Sequence, residues 1–201
     1  MTLTIESGTT PLTASEGDAV RQLENGLPVA VFGGTARQGF LVVAADRAST
    51  AATAFAIRHS SGFLQIALPR DRCEQLHLPP MNPFETNGDR MCVGVDAVHG
   101  TGTGISAADR ATTARALADS AAGPGDFTRP GHLVPVCVDG APGARPRTAA
   151  AIALDLTRRA GLRPGALLAG LVGLADPTRM ITHPECRVFA ETHHLPLLTA
   201  H

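Results

Sequence analysis

Three short segments of this 201-residue chain concentrate side chains able to bind anions or move protons. Thr101-Gly102-Thr103-Gly104-Ile105-Ser106 leads into Ala107-Ala108-Asp109-Arg110. Glycines ahead of a helix let backbone N–H groups face an anion, and the helix dipole adds to the attraction. The same turn serves equally as a tight helix entry. Arg129-Pro130-Gly131-His132 sets a guanidinium and an imidazole around a rigid turn, suited to gripping a carboxylate or passing a proton, or to bonding nearby backbone. Arg58-His59-Ser60-Ser61-Gly62 falls at a helix end, where His59 suits the C-terminal dipole. His183 and His193-His194 lack the spacing of metal ligands. Arg145-Pro146-Arg147-Thr148 precedes an alanine-rich stretch and can hold an anion or lie in a solvated loop.

The elements that must position these residues alternate along the chain. Apolar runs at 28–32, 40–44, 63–68, 91–95, 133–138, 166–172 and 195–198 read as strands. Ser15 can cap a helix ending at Gly26, Ser49 one over 50–59, and Ser106 with Asp109 one reaching about Ala118. A helix over 155–161 ends at a glycine, and Pro184 opens a short one to about Thr192. The pattern predicts an α/β (α+β layered) single domain over 15–201, preceded by a flexible Thr-rich segment, 1–14. Hydrophobic residues make up 44% and charged residues 17%, which excludes wholesale disorder. All 17 basic residues are Arg, and Tyr and Trp are absent, so lysine Schiff bases, a P-loop lysine, tyrosine acids and Tyr/Trp base-stacking platforms are excluded. A net charge of −1 gives no basic surplus for nucleic acid or an anionic membrane. No apolar run reaches membrane-spanning length, and no signal peptide precedes the domain. The four cysteines form no C-x-x-C pair and read as small buried hydrophobes of a reduced, cytoplasmic protein.

Together, Thr103–Arg110, Asp126–His132, Pro184-Glu185-Cys186, Arg58–Gly62 and Leu76–Met81 resemble 3,4-dihydroxy-2-butanone 4-phosphate synthase, the riboflavin-pathway enzyme that converts ribulose 5-phosphate to a four-carbon phosphate and formate. The resemblance runs from about Ser15 to the C-terminus. It implies that family's compact fold and a homodimer with active sites near the subunit interface. It also implies one or two divalent metals, normally magnesium, holding the ketose oxygens, carboxylates for proton transfer, and an Arg/Thr pair for the phosphate.

The sequence departs from the family pattern at the chemistry. The family's acidic loop after the first strand corresponds to Gly33-Gly34-Thr35-Ala36-Arg37-Gln38-Gly39-Phe40, which is shorter and carries no carboxylate. The Gly-His-Thr-Glu-Ala segment falls at Arg145–Ala150, where neither register places a His or Glu. The pocket cysteine corresponds to Gln65, and a late Cys-Glu pair to Ala169-Gly170. Magnesium needs several oxygen ligands, so the expectation is no metal and no cofactor. A site rebuilt with Phe, Ala and Gly suits a mostly apolar small molecule. Gln65, His132 and Arg147 are the candidate catalytic residues, and Phe32, Phe40, Arg58, Thr103, Asp109, Arg145, Thr148 and Gly170 the candidate substrate contacts. These choices lead to an expected metal-independent cyclase or isomerase, including a pericyclic one, of natural-product biosynthesis. Two alternatives accompany it: a non-catalytic ligand- or partner-binding relative, and a residual synthase drawing ligands from Asp46, Glu85 or Asp89.

Overall fold

The computed structural model describes residues 14–84, 88–139 and 147–200, with the side chains of residues 14 and 15 left aside. The segment 1–14 expected to be flexible, Glu85 and Arg145 lie outside these residues, apart from residue 14, which opens the first helix.

Eight strands form one mixed sheet: β1 (Val29–Gly33), β2 (Gln38–Ala44), β3 (Gln65–Pro69), β4 (Arg90–Met91), β5 (Val95–Ala97), β6 (Phe127–Val138), β7 (Ala166–Gly170) and β8 (Leu197–Ala200). Their order is β4-β6-β3-β7-β2-β1-β8, with β5 also paired to β6. The β3/β6 and β1/β8 pairs are parallel and the rest antiparallel. The central strands are apolar at nearly every position because helices cover both faces. On one face Ala30, Leu41, Ile66, Leu68 and Leu167 pack with α2 (Thr50–Arg58), α3 (Arg70–Gln75), α4 (Ala107–Ala118) and α6 (His183–Thr192). On the other, Val31, Phe40, Val42, Ala67 and Leu168 pack with α1 (Ala14–Glu24) and α5 (Ala149–Arg159). No described helix is long and apolar enough to cross a membrane.

The helix starts follow local chemistry. Ser49, Ser106 and Thr148 each accept a backbone N–H three residues on, at 3.1, 3.0 and 3.0 Å, which satisfies donors a helix start leaves open. Glu185 closes a capping box with Thr182 at α6. Elsewhere the structure corrects the expected elements. The helix expected over 155–161 begins already at Ala149, because Thr148 caps a run of alanines, the best helix formers. The strand expected over 91–95 splits into β4 and β5, which pair with different stretches of β6. Six-residue α3 is too short and polar to show an apolar period.

Candidate active site

The pairing registers bring Gly33–Gln38, Phe40–Gly170 and Gln65–Val134 to one end of the sheet, and His132 stands on β6 just before Val134. On the α4 side of this end, Asp96 of β5 is 8% exposed. Its Oδ1 accepts the His132 backbone N–H at 2.9 Å, and its Oδ2 lies 2.7 Å from His132 Nδ1. A carboxylate cannot donate, so the proton of that bond sits on Nδ1 and leaves Nε2 as the imidazole's acceptor. Glycine is required on both sides of the carboxylate. A Cβ on Gly104 (φ +85°) would fall 2.0 Å from Asp96 Oδ2, and one on Gly131 would fall 2.1 Å from Val95 C. Asp109 Oδ2 accepts the Gly104 N–H at 3.0 Å, so this carboxylate shapes the loop ahead of α4. Thr103 lies exposed in that loop. The Arg129 guanidinium is committed to the carbonyls of Pro124, Phe127 and Leu76 at 3.1, 3.0 and 2.7 Å, the backbone-bonding role the sequence left open.

On the α5 side, the β1–β2 turn docks against the start of α5. Thr35 N donates to Arg147 O at 2.7 Å, and Gly34 (φ +76°) approaches Arg147 O and Ala149 N so closely that a Cβ would lie 3.2 and 3.4 Å away. Thr148 caps α5 and donates its hydroxyl to Asp89 Oδ2, while Asp89 Oδ1 accepts the Asp139 N–H at 3.0 Å. Arg147 is exposed, and Gln65 is half-buried at the start of β3, alternating onto the α5 face with Ala67. A cleft of about 230 Å³ beside the turn is lined by Phe32, Gly33, Gly34, Arg37, His183 and Thr199.

The remaining expected contacts scatter around the same end. Arg58 ends α2; the loop that follows reaches β7, where Ser61 N donates to Gly170 O at 3.1 Å. Phe32 stands edge-on to His183, with ring centroids 4.9 Å apart. Phe40 is no pocket wall. It is 1% exposed in the core under α1 and α5, because β2 alternation turns it to that face. Gly170 is half-buried beside Met180, where a Cβ would lie 3.0 Å from Met180 Cε.

Residues 17–201 match the family model for 3,4-dihydroxy-2-butanone 4-phosphate synthase. The chain belongs to that family. The riboflavin biosynthesis protein RibBA of Nocardia farcinica is 45% identical over 167 residues, covering 81% of this chain and 40% of the relative. RibBA of Salinispora arenicola is 43% identical over 188 residues, covering 90% and 44%. The chain thus spans about two fifths of the length of these curated relatives. Among solved structures, the synthase of Candida albicans superposes with a TM-score of 0.81 at 32% identity, covering 91% of this chain and 92% of that one. A synthase structure in complex with two magnesium ions gives 0.80 at 35% identity, covering 91% of each. The synthase fold expected from the sequence is therefore the fold observed.

Membership in the synthase family overturns the expectation of a natural-product cyclase. The relatives are riboflavin biosynthesis proteins, and the structural neighbours are synthases. The apolar pocket that supported the cyclase also fails, since Phe40 belongs to the core. Among the described residues, no magnesium site of the kind the family implies is formed. The β1–β2 turn and the start of α5 contribute no Asp, Glu or His, and among the described residues no group of three or more His, Cys, Asp or Glu is placed to hold a metal ion. Asp89, the carboxylate at the α5 start, has both oxygens engaged.

Sequence reading missed Asp96 and the position of Asp89. The signal for Asp96 was a lone carboxylate inside Val95-Asp96-Ala97, between two buried apolar neighbours. Such a group must find a partner.

Proposed function

We propose that the chain acts on ribulose 5-phosphate and forms 3,4-dihydroxy-2-butanone 4-phosphate and formate, the reaction of its family. The Asp96–His132 pair carries this reading: a buried carboxylate holds the ring by two bonds and leaves Nε2 as the acceptor. An imidazole so oriented takes a proton from a carbon or hydroxyl beside a ketose carbonyl and returns it. Arg147 and the start of the 11-residue α5 support binding of the phosphate, since a guanidinium and a helix N-terminus both favour an anion. With no magnesium site formed among the described residues, the proton transfers fall to His132. A homodimer near this end of the sheet is part of the proposal. Val98 and Ile105, 43% and 52% exposed on either side of the Thr101–Gly104 loop, support it.

The test is release of formate, with the four-carbon phosphate, from ribulose 5-phosphate by the purified chain, with and without magnesium. Formate under neither condition removes the reading. A second reading is favoured by the turn without carboxylates: the chain binds the pentulose phosphate without turning it over. Calorimetric binding of ribulose 5-phosphate without formate identifies that case. Sedimentation velocity reports the dimer, and a monomer at micromolar concentration rejects it.

A further inference from the structure

The chain's thiols gather away from the Asp96–His132 pair. Cys73 on α3, Cys92 between β4 and β5, and Cys137 on β6 come from segments that only the sheet brings together. Cys73 lies close enough to interact electrostatically with both Cys137 and Cys92. All three line one cleft of about 430 Å³, roomy enough for a small organic molecule, although each is at most 4% exposed. Arg90 stands opposite Cys137 in the β4–β6 pair, and its positive charge favours the Cys137 thiolate. Arg90 Nε is buried without a hydrogen-bond partner among the described residues. Arg70, tied to Asp139, and His77 and Glu74 of the α3 region complete the charged and titratable groups around the cleft. The fourth cysteine, Cys186, is buried on α6 in the core, outside this group.

We infer that this cleft is a peroxide-responsive dithiol site, in which Cys137 reacts with a small hydroperoxide and Cys73 closes a disulfide onto it. The Cys137 thiolate attacks the distal oxygen of the hydroperoxide. The S–O bond forms as the O–O bond breaks, giving a sulfenic acid and, after protonation, the alcohol or water. The Cys73 thiol then displaces the sulfenic oxygen as water, forming the S–S bond. Two thiols lose two electrons and two protons, and the hydroperoxide accepts them. The neighbours favour this division of labour. The neighbouring Cys73 thiol first, then the Arg90 and Arg70 guanidiniums, pull the Cys137 thiol below the usual thiol range, against its burial. Hydrogen bonding to its neighbours and burial hold Cys73 protonated until Cys137 loses its charge. Cys186, with burial alone, is pushed up to about 11.

The whole chain treated with one equivalent of hydrogen peroxide at neutral pH, then alkylated and digested, reads this out by mass spectrometry. The expected product is an intramolecular Cys73–Cys137 cross-link, reversed by a phosphine, with Cys186 still reduced. Cys73→Ser should stop the reaction at a Cys137 sulfenic acid that dimedone traps; Cys137→Ser should abolish both products; Cys92→Ser should keep the cross-link. On the unaltered chain, which removes any question of variant folding, the alkylation rate of Cys137 should level off at a lower pH than that of Cys186, which keeps rising into the alkaline range. Equal oxidation of Cys186, a cross-link between chains, or a Cys137 rate that climbs with pH in step with that of Cys186 overturns the inference.

Discussion

The α4 side and the α5 side of the site stand at the same end of one sheet, and each rests on glycines that allow close approach. On the α4 side, that approach encloses a carboxylate and aims an imidazole. On the α5 side, backbone meets backbone, Thr35 N to Arg147 O, with no ionisable group in the β1–β2 turn except Arg37. Glycine-built geometry is therefore independent of whether the turn carries ionisable side chains. The shape of a turn depends on φ/ψ and sterics, and its chemistry depends on the few side chains projecting from it.

The sharpest way to break this comparison is His132→Gln. If the α4 side carries the chemistry, formate release falls about 100- to 10,000-fold, while the denaturation midpoint hardly moves. Phe40→Ala separates core from pocket: stability should fall by about 3–5 kcal/mol in urea unfolding, and the residual folded enzyme should keep its KM. Asp96→Ala removes the partner of the His132 backbone N–H and of Nδ1, and should cost about 3 kcal/mol together with most of the activity. On the α5 side, Thr35→Glu combined with Ala149→His restores ligand types. Millimolar magnesium should then raise the melting temperature of that variant by about 3 °C and leave the unaltered chain unchanged. Thr148→Ala loses the α5 cap and the hydroxyl bond to Asp89, and should cost about 1 kcal/mol.

The smallest effect is a pH dependence outside both sides. His59 packs against Phe55 and His193, with the His59–His193 centroids 4.5 Å apart. Burial first, then the His193 and Arg58 charges, lower its pKa from the ordinary 6.5. The unfolded chain therefore binds more protons over the window below 6.5. Stability is full above that value and is lost as the pH falls through it toward the lowered folded value. His59→Gln should flatten the slope of melting temperature against pH between about 5 and 6.5.

Much of the fold was legible because its signals are local. Ser49 and Ser106 cap the helices expected of them, and Pro184 with Glu185 opens α6. The absence of carboxylates in 33–40 was equally readable, since residue type needs no geometry. Asp96 was not readable as the partner of His132, which stands 36 positions away and reaches it only because β5 lies on β6. Phe40 was misread because side-chain direction follows strand register, which an apolar run with both faces covered does not disclose.

By itself, then, the sequence determined the family scaffold, the helix starts and the lack of carboxylates in the β1–β2 turn, because these reside in residue type and short spacing. Only the tertiary structure decided which residues meet. Asp96 holds His132, Phe40 turns into the core, and three thiols share one cleft, because each meeting joins segments distant in sequence through the pairing of the sheet.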